Sequence, residues 1–218
     1  MFFFRTNAFL FRCRLRTMSV AAQPRYRYPQ LDNIEDLERY QSGGFHSVSI
    51  GDVFGGRYKV LHKLGFGGSS TVWLAQDQRR SEQSSDSGCL ITLKVMSANQ
   101  SYKPTGEEIA DLYFPHKLHK LSCAINHPGG ENLLVIKDHF SQEGPNGTHL
   151  CLISQLAGPS VFSMAECPGR VSGSRRLRGG LAKKVTRQVA TVVELMHSTA
   201  VIHGGLSLTR YLMESVSH

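Results

Sequence analysis

Alternating apolar and polar positions on both sides of a glycine-rich stretch give the clearest structural signal in this chain. Residues 58–64 alternate in the manner of a half-buried strand, and residues 71–75 carry the β-branched and aromatic side chains of a second strand. Between them lie Gly65, Gly67 and Gly68, which allow the chain to turn sharply. The pattern therefore predicts a strand, a glycine loop and a returning strand.

A third strand and a helix are predicted further along. Residues 76–88 are polar and serine-rich, which is typical of a solvated loop, and residues 89–96 form the next strand, which carries Lys94. Residues 107–114 have the pattern of a short helix. Pro115 is expected to end or kink that helix, because proline lacks a backbone N–H.

The second half of the chain predicts a hairpin and a longer helix. Two apolar runs, residues 133–140 and 149–156, are joined by the turn-rich residues 141–148. After a Gly/Arg/Ser-rich loop over residues 166–180, a helix is expected over residues 181–196. Its apolar face consists of Leu181, Val185, Val189, Val192 and Met196.

These elements predict an α+β fold with a five-stranded antiparallel sheet and one helix, followed by the first part of a helical lobe. Four regions follow from the composition: a basic leader over residues 1–30, an extension over 31–57, the sheet-rich lobe over 58–157, and a connecting segment with an incomplete helical lobe over 158–218. The extension carries Leu31, Ile34 and Leu37 at helical spacing before the breakers Gly43 and Gly44.

The distribution of charge argues against a nucleic-acid partner. The 218 residues carry a formal net charge of +8, but the first 30 residues contain six arginines and no acid. Without those six arginines the net charge is +2, which is too small to attract phosphate backbones by itself. We expect no nucleic-acid partner.

The leader is the only part of the sequence that bears on location. Its alternation of apolar residues and arginines resembles a mitochondrial transit peptide, although Met18 is a second candidate start that would remove most of it. No apolar run in it is long enough to span a bilayer. We expect a cytoplasmic or nuclear protein with no transmembrane segment, with mitochondrial import as the alternative.

Cysteine and histidine spacing predicts no metal site and no disulfide framework. The five cysteines are widely separated and form no Cys-x-x-Cys pair, and the ten histidines follow no metal-ligand pattern.

The glycine loop and Lys94 together suggest phosphate chemistry. Glycines let backbone amides approach phosphates closely, and a lysine on the next strand supplies a positive charge. An acid on the following helix would hold that lysine; Glu108 or Glu107 is the expected partner, and Asp111 is a third candidate. The expected nucleotide-binding residues are Leu64, Gly65, Phe66, Gly67, Gly68, Ser69, Ser70, Thr71, Val72, Lys94 and Glu108.

The order strand, glycine loop, strand distinguishes two classes of nucleotide site. A dinucleotide-binding fingerprint must begin a helix, whereas the glycine loop of a protein kinase closes a hairpin. Residues 50–58, 64–73 and 144–152 moreover resemble the fungal kinases related to SR-protein kinases, and the similarity runs from about Tyr28 to about Leu206.

This resemblance implies a serine/threonine protein kinase fold and a bound ATP with Mg²⁺. It implies that the adenine lies near the backbone of residues 155–157 and that Ser154 is the gatekeeper beside it. Thr92 stands where the family usually has a small alanine near the adenine. The protein substrate, or a scaffold partner, is not indicated.

The catalytic loop departs from the family pattern. After His203, Gly205 occupies the position of the catalytic aspartate, and Arg210 occupies that of the asparagine that holds magnesium. Glycine has no side chain to orient a hydroxyl group, and arginine places a positive charge where a cation should bind. No catalytic residue is therefore intact, and the magnesium site is incomplete.

Three interpretations remain open at this stage. The first is a serine/threonine kinase whose chain is truncated or misread near Ile202. The second is a non-catalytic nucleotide-binding pseudokinase or scaffold, in which the valines of the 181–196 helix would be exposed and would need a partner. The third, a mitochondrial or structural protein, depends on the leader alone.

Overall fold

The computed structural model describes residues 34–80, 89–101, 109–166, 177–204 and 212–214. The strands are β1 (Val53–Phe54), β2 (Tyr58–Phe66), β3 (Ser70–Asp77), β4 (Leu90–Met96), β5 (Ile136–Gly144), β6 (Gly147–Gln155), β7 (Ala157–Ser160) and β8 (Leu212–Glu214). The helices are α1 (Ala98–Ser101), α2 (Ala110–Ala124), α3 (Val161–Glu166) and α4 (Gly179–Ser198), with short 3-10 helices at Leu37–Arg39, Gln78–Arg80 and Pro128–Asn132.

An antiparallel sheet with the strand order β1-β2-β3-β4-β6-β5 forms the centre of the fold. The α+β class and the five predicted strands are confirmed as β2 to β6, and the predicted loop over residues 141–148 narrows to a tight turn between Gly144 and Gly147. The predicted sheet has one strand fewer than the observed six-stranded sheet. The sixth strand, β1, has only two residues, which is too short for an alternating pattern to reveal.

Helix α2 differs most from its prediction. It was expected over residues 107–114, but the structure places it at Ala110–Ala124, with Pro115 inside it. Proline removes one helical hydrogen bond, yet Leu118, beyond it, is buried against Met196 and Val201. This packing stabilises the continued helix. Pro115 was expected to end or kink it, and the structure shows that it does not end it. The single turn α1 is a further helix that the sequence pattern did not predict.

The two faces of the sheet have different partners. Neighbouring residues of a strand face opposite sides, so Trp73 and Ala75 lie on one face of β3 and Val72 and Leu74 on the other. The Trp73 face packs into the larger core together with Phe54 and Val48 of the N-terminal region. The other face packs in part against Ile109 and Leu112 at the start of α2. Each face is therefore covered by a different part of the chain.

An ion pair fixes the base of the β2–β3 hairpin. The Arg57 guanidinium makes two hydrogen bonds, of 2.7 and 2.6 Å, to the two carboxylate oxygens of Asp77, which is 4% exposed. Next to it the Tyr58 hydroxyl donates to Asp138 at 2.7 Å, which ties β2 to β5. A bidentate pair is geometrically demanding, so it fixes the relation of these strands.

The helical region begins as the sequence predicts. Helix α4 spans Gly179–Ser198 and buries Val185, Leu195 and Met196. It packs against α2 and the 3-10 helix Pro128–Asn132, where a side chain at Gly129 would lie 2.7 Å from the Thr191 carbonyl oxygen. The expected exposure of the valine face is therefore wrong for Val185, which is buried, and for Val192, which packs against the cluster of Leu118, Met196 and Val201.

Strands β7 and β8 form a second, two-stranded sheet directly after β6. Ala157 pairs with Glu214, and Ser160 pairs with Leu212. The sequence pattern did not indicate this pairing, because more than 50 residues separate the two segments. The pairing brings residues 212–214, near the end of the sequence, next to residues 157–160, which follow β6.

None of the helices in the described part of the chain is long and apolar enough to cross a membrane.

Two neighbouring histidines should make the fold sensitive to acid. The rings of His46 and His149 lie 4.7 Å apart, and burial, reinforced by His149, lowers the pKa of His46 although Asp52 opposes the shift. The unfolded chain therefore takes up a proton near the ordinary histidine pKa of 6.5, while folded His46 stays neutral to lower pH. The free energy of unfolding should consequently fall as the pH drops from about 7 to 5, by at most about 1.4 kcal/mol per pH unit for one proton.

Urea denaturation at a series of pH values measures this slope. The matched variant His46→Leu removes the titrating group, so its slope over the same range should be smaller. Equal slopes for the two proteins would show that His46 does not cause the acid sensitivity.

Candidate functional site

The glycine loop is the turn between β2 and β3. Gly65 pairs with Val72 and Phe66 with Thr71, and the turn is closed by a 2.8 Å hydrogen bond from the Gly67 N–H to the Ser70 carbonyl. This arrangement is the predicted strand, loop and strand. The chain returns as a strand and does not begin a helix, which excludes a dinucleotide-binding fingerprint at this position.

The glycines of this loop are not required by the packing of the chain itself. A β-carbon added to Gly65, Gly67 or Gly68 would meet nothing within 4 Å, and none of the three has a positive φ. Gly44 is the opposite case, because a β-carbon there would lie 1.8 Å from the Arg39 carbonyl oxygen. The open space at the loop is a surface that a ligand could approach closely along the backbone.

The loop also presents unused hydrogen-bond donors. Among the described residues, no group accepts a hydrogen bond from the backbone N–H of Gly68 or Ser69. The two carbonyls beside them are occupied: the Arg39 guanidinium donates to the Gly68 carbonyl, and the Ser97 N–H donates to the Ser69 carbonyl at 2.8 Å. Free amides in a narrow turn are suited to an anion such as phosphate.

Strand pairing places Lys94 beside this loop. Lys94 of β4 lies opposite Val72 of β3, so the two side chains share a face, and Leu152 of β6 is on the other side of Lys94. The Lys94 ammonium is 2.5 Å from the Asp111 carboxylate of α2. Both side chains remain partly exposed, at 30% and 40%, so the charges are held in position and are still accessible to a ligand.

The structure thus pairs Lys94 with the third of the three candidate acids. Glu107 and Glu108 lie outside the described residues, and the role of Glu108 stays a prediction. Asp111 is in the first turn of α2, and its neighbours Ile109 and Leu112 pack against the same face of the sheet, which explains its reach.

Thr92 and Ser154 lie on the same face as Lys94, whereas Thr71 lies on the opposite face, where its hydroxyl accepts a hydrogen bond from the Trp73 indole at 3.0 Å. Leu74 pairs with Thr92, and Thr92 pairs in turn with Ser154, which is 5% exposed. These pairings form a continuous row across β3, β4 and β6, on the face that carries Lys94. Leu64 and Phe66, on the strand that leads into the loop, are 47% and 42% exposed.

The catalytic-loop substitutions are not placed by the structure. His203 is described, but Gly205 and Arg210 lie outside the described residues. Their consequences for catalysis therefore rest on the sequence.

A cavity of about 430 Å³ lies elsewhere, at the far end of α2 from Asp111. His119, Cys123, His127 and Glu131 are among the residues that line it. It does not include the glycine loop or Lys94. The face that carries the glycine loop and Lys94 is an open surface, so the candidate site does not coincide with this cavity.

One contact at the loop could not be found from the sequence. Arg39 reaches Gly68 from a segment 29 residues earlier, and neither residue belongs to a motif that would suggest the pairing. Only the fold of the N-terminal segment brings them together.

Comparison with known proteins identifies the family. The chain is 30% identical over 174 residues to the protein kinase dsk1 of Schizosaccharomyces pombe, and 31% identical over 174 residues to SRSF protein kinase 3 of Homo sapiens. The chain belongs to the SR-protein-kinase-like serine/threonine kinases. A Physarum polycephalum serine/threonine-protein kinase, SRPK, is 26% identical over 183 residues. No protein-family model matches the chain.

The relatives of this SR-protein-kinase-like chain are much longer than it is. The matches cover 79%, 78% and 83% of the chain but only 29%, 27% and 39% of the dsk1, human and Physarum proteins. Protein kinases in general use ATP and Mg²⁺. The family assignment agrees with the kinase-like arrangement of the sheet, the glycine loop and Lys94.

The two carboxylate pairs of this fold should differ in their effect on stability. Asp111→Asn removes a partly exposed partner of Lys94, so the free energy of unfolding should change by about 1 kcal/mol or less. Asp77→Asn removes the buried carboxylate that accepts two hydrogen bonds from Arg57, and it should cost about 2 kcal/mol, because Arg57 stays partly exposed and keeps Asp138 at 3.5 Å. Urea denaturation of the two variants measures both changes in the free energy of unfolding. Similar decreases for the two variants would show that the Lys94–Asp111 pair is structural.

Proposed function

We propose that this chain binds ATP on the face of the sheet formed by the glycine loop and Lys94. The observation that carries the proposal is the open space above Gly65, Gly67 and Gly68, next to backbone amides that no described residue uses. A narrow turn with open space and free amides is suited to an external anion. The partly exposed Lys94 supplies the opposite charge.

Each part of ATP has a proposed partner on this face. The loop amides and Lys94 would hold the phosphates, with Asp111 keeping the lysine in place. The adenine would lie against the backbone of residues 155–157, with Ser154 and Thr92 beside it, as the family resemblance implies. Bound ATP supplies a transferable γ-phosphoryl group, which the family places on serine or threonine residues of proteins.

The sequence does not support the transfer step. Transfer needs a carboxylate that accepts or orients the proton of the substrate hydroxyl, and an amide oxygen that helps to hold magnesium. Gly205 and Arg210 provide neither, so the magnesium ion has no fitting donor at that position and no step is assigned to it. We propose that the chain is a nucleotide-binding, catalytically defective member of the family, located in the cytoplasm or nucleus.

Nucleotide binding and phosphoryl transfer can be tested separately on the 218-residue chain. Isothermal titration calorimetry with ATP should show binding that does not depend on added Mg²⁺. Lys94→Met should weaken it about tenfold or more through the loss of a charged hydrogen bond to phosphate. Lys59→Met, which removes an exposed lysine of β2, is the matched control and should bind ATP normally.

The same protein should transfer no phosphate from radiolabelled ATP to a serine-rich peptide. Transfer that Lys94→Met abolishes would contradict the proposed catalytic defect. Absence of ATP binding to the folded chain would contradict the proposal as a whole.

The alternative is an active serine/threonine kinase of which this sequence is a misread form. Two observations favour this alternative. The substitutions at positions 205 and 210 fall in one short segment, and the glycine loop and Lys94 that precede it in the sequence are intact. Sequencing the native transcript across the codons from Ala200 onward decides between the two. A message that encodes aspartate and asparagine at these positions would establish the alternative, and a message that encodes Gly205 and Arg210 would leave the defective form.

A further inference from the structure

The segment that precedes the sheet is held on the face opposite Lys94. Glu35 is 6% exposed and accepts hydrogen bonds from the Tyr40 hydroxyl, at 2.5 Å, and from Lys63 of β2. The Lys63 ammonium lies 5.3 Å from the centre of the Trp73 ring. Since Trp73 and Val72 point to opposite faces of β3, this N-terminal segment, residues 34–45, lies behind the nucleotide face.

From this position Arg39 reaches the tip of the glycine loop. Its guanidinium donates to the Gly68 carbonyl, and its Cζ atom is 4.4 Å from the centre of the Phe45 ring. Phe45 is 1% exposed, and its N–H donates to the Arg39 carbonyl at 2.8 Å. A planar cation stacked on a fixed ring has few alternative orientations, so Arg39 can hold the carbonyl in one direction.

The turn that carries Phe45 is itself anchored to the sheet. The carbonyls of Gly43 and Gly44 accept from the N–H groups of Asn99 and Ala98, at 2.8 and 2.9 Å. The Asn146 side chain in turn donates to the Phe45 carbonyl at 2.7 Å. The turn below Arg39 is therefore held by α1 and by the turn between β5 and β6.

The geometry of a peptide bond links this contact to the nucleotide face. In a planar trans peptide the carbonyl of one residue and the N–H of the next point in opposite directions. Because the Gly68 carbonyl points toward Arg39, the Ser69 N–H points away from Arg39. The Ser69 N–H is one of the two loop amides that have no hydrogen-bond acceptor among the described residues. The Ser69 carbonyl is fixed as well, by the Ser97 N–H.

We propose that Arg39 is a positioning residue for nucleotide phosphate, which it affects through the Gly68–Ser69 peptide and without touching the nucleotide. This inference rests on the proposed ATP binding. Glycine at position 68 permits many orientations of that peptide, and Arg39 selects the one that presents the Ser69 amide. The N-terminal segment thereby becomes part of the nucleotide site, although it lies on the opposite face of the sheet.

The test compares ATP with adenosine, which lacks phosphates. Arg39→Met in the 218-residue chain should weaken ATP binding about fivefold, because a charged hydrogen bond that orders the loop is lost. Adenosine affinity should not change. Arg79→Met removes an exposed arginine with the same change in net charge, and it should leave the affinity for both ligands unchanged. Affinities are measured by calorimetry, with the melting temperature of each variant recorded.

The outcomes separate this inference from the proposed function. If the wild-type chain binds no ATP, the proposed function fails and this inference fails with it. If the wild-type chain binds ATP and Arg39→Met binds it equally well, only the positioning role is overturned. If Arg39→Met loses affinity for ATP and for adenosine equally and also has a lower melting temperature, Arg39 has a structural role. This result would also overturn the positioning role.

A milder variant keeps the test decisive if Arg39→Met does not fold. Arg39→Lys retains the charge and one donor but lacks the planar face that stacks on Phe45. It should weaken ATP binding by a smaller factor than Arg39→Met, again without changing adenosine affinity. Unchanged ATP affinity in a folded Arg39→Lys protein would contradict the proposal.

Discussion

The pairing of Val72 with Lys94 is the constraint on which the site depends. It places the lysine on the same face as the residue that follows the glycine loop, and it sets every other neighbour along β3 and β4. A shift of the register by one residue would move Lys94 to the face of Trp73 and would move Leu93 to the face of Val72. The alternation of buried and exposed positions on β4 prevents such a shift, since Leu93 and Val95 are buried and their burial would be lost.

Two kinds of charged contact serve different purposes in this lobe. The Arg57–Asp77 pair is largely withdrawn from water and holds the base of the hairpin. The Lys94–Asp111 pair is partly exposed, and the energy of an exposed pair is small. A weak pair suits the proposed nucleotide face, because it holds the lysine in place while the ammonium keeps donors that a phosphate could use.

The sequence predicts those parts of this structure that depend on local periodicity. Strands β2 to β6 and helix α4 each follow from residues that alternate or recur within one element, and the glycine loop follows from its flanking strands. The extent of α2 could not be predicted, because a proline at position 115 is locally unfavourable and the compensating burial of Leu118 involves residues 196 and 201. β1, the β7–β8 pair and the contact of Arg39 with Gly68 likewise depend on residues that are distant in sequence.

Nucleotide binding and phosphoryl transfer make separate demands on this fold. Binding requires a turn of defined geometry and a lysine on an adjacent strand, and both are built from residues 58–96, where antiparallel pairing fixes them. The proposed transfer step would require additional side chains at positions 205 and 210, which lie outside these strands in the sequence. In the proposed function, Gly205 and Arg210 lack the groups that the chemistry needs, whereas the residues of β2, β3 and β4 keep the register that forms the proposed nucleotide face. A chain of this family can for this reason lose catalysis and still retain the physical basis of nucleotide binding.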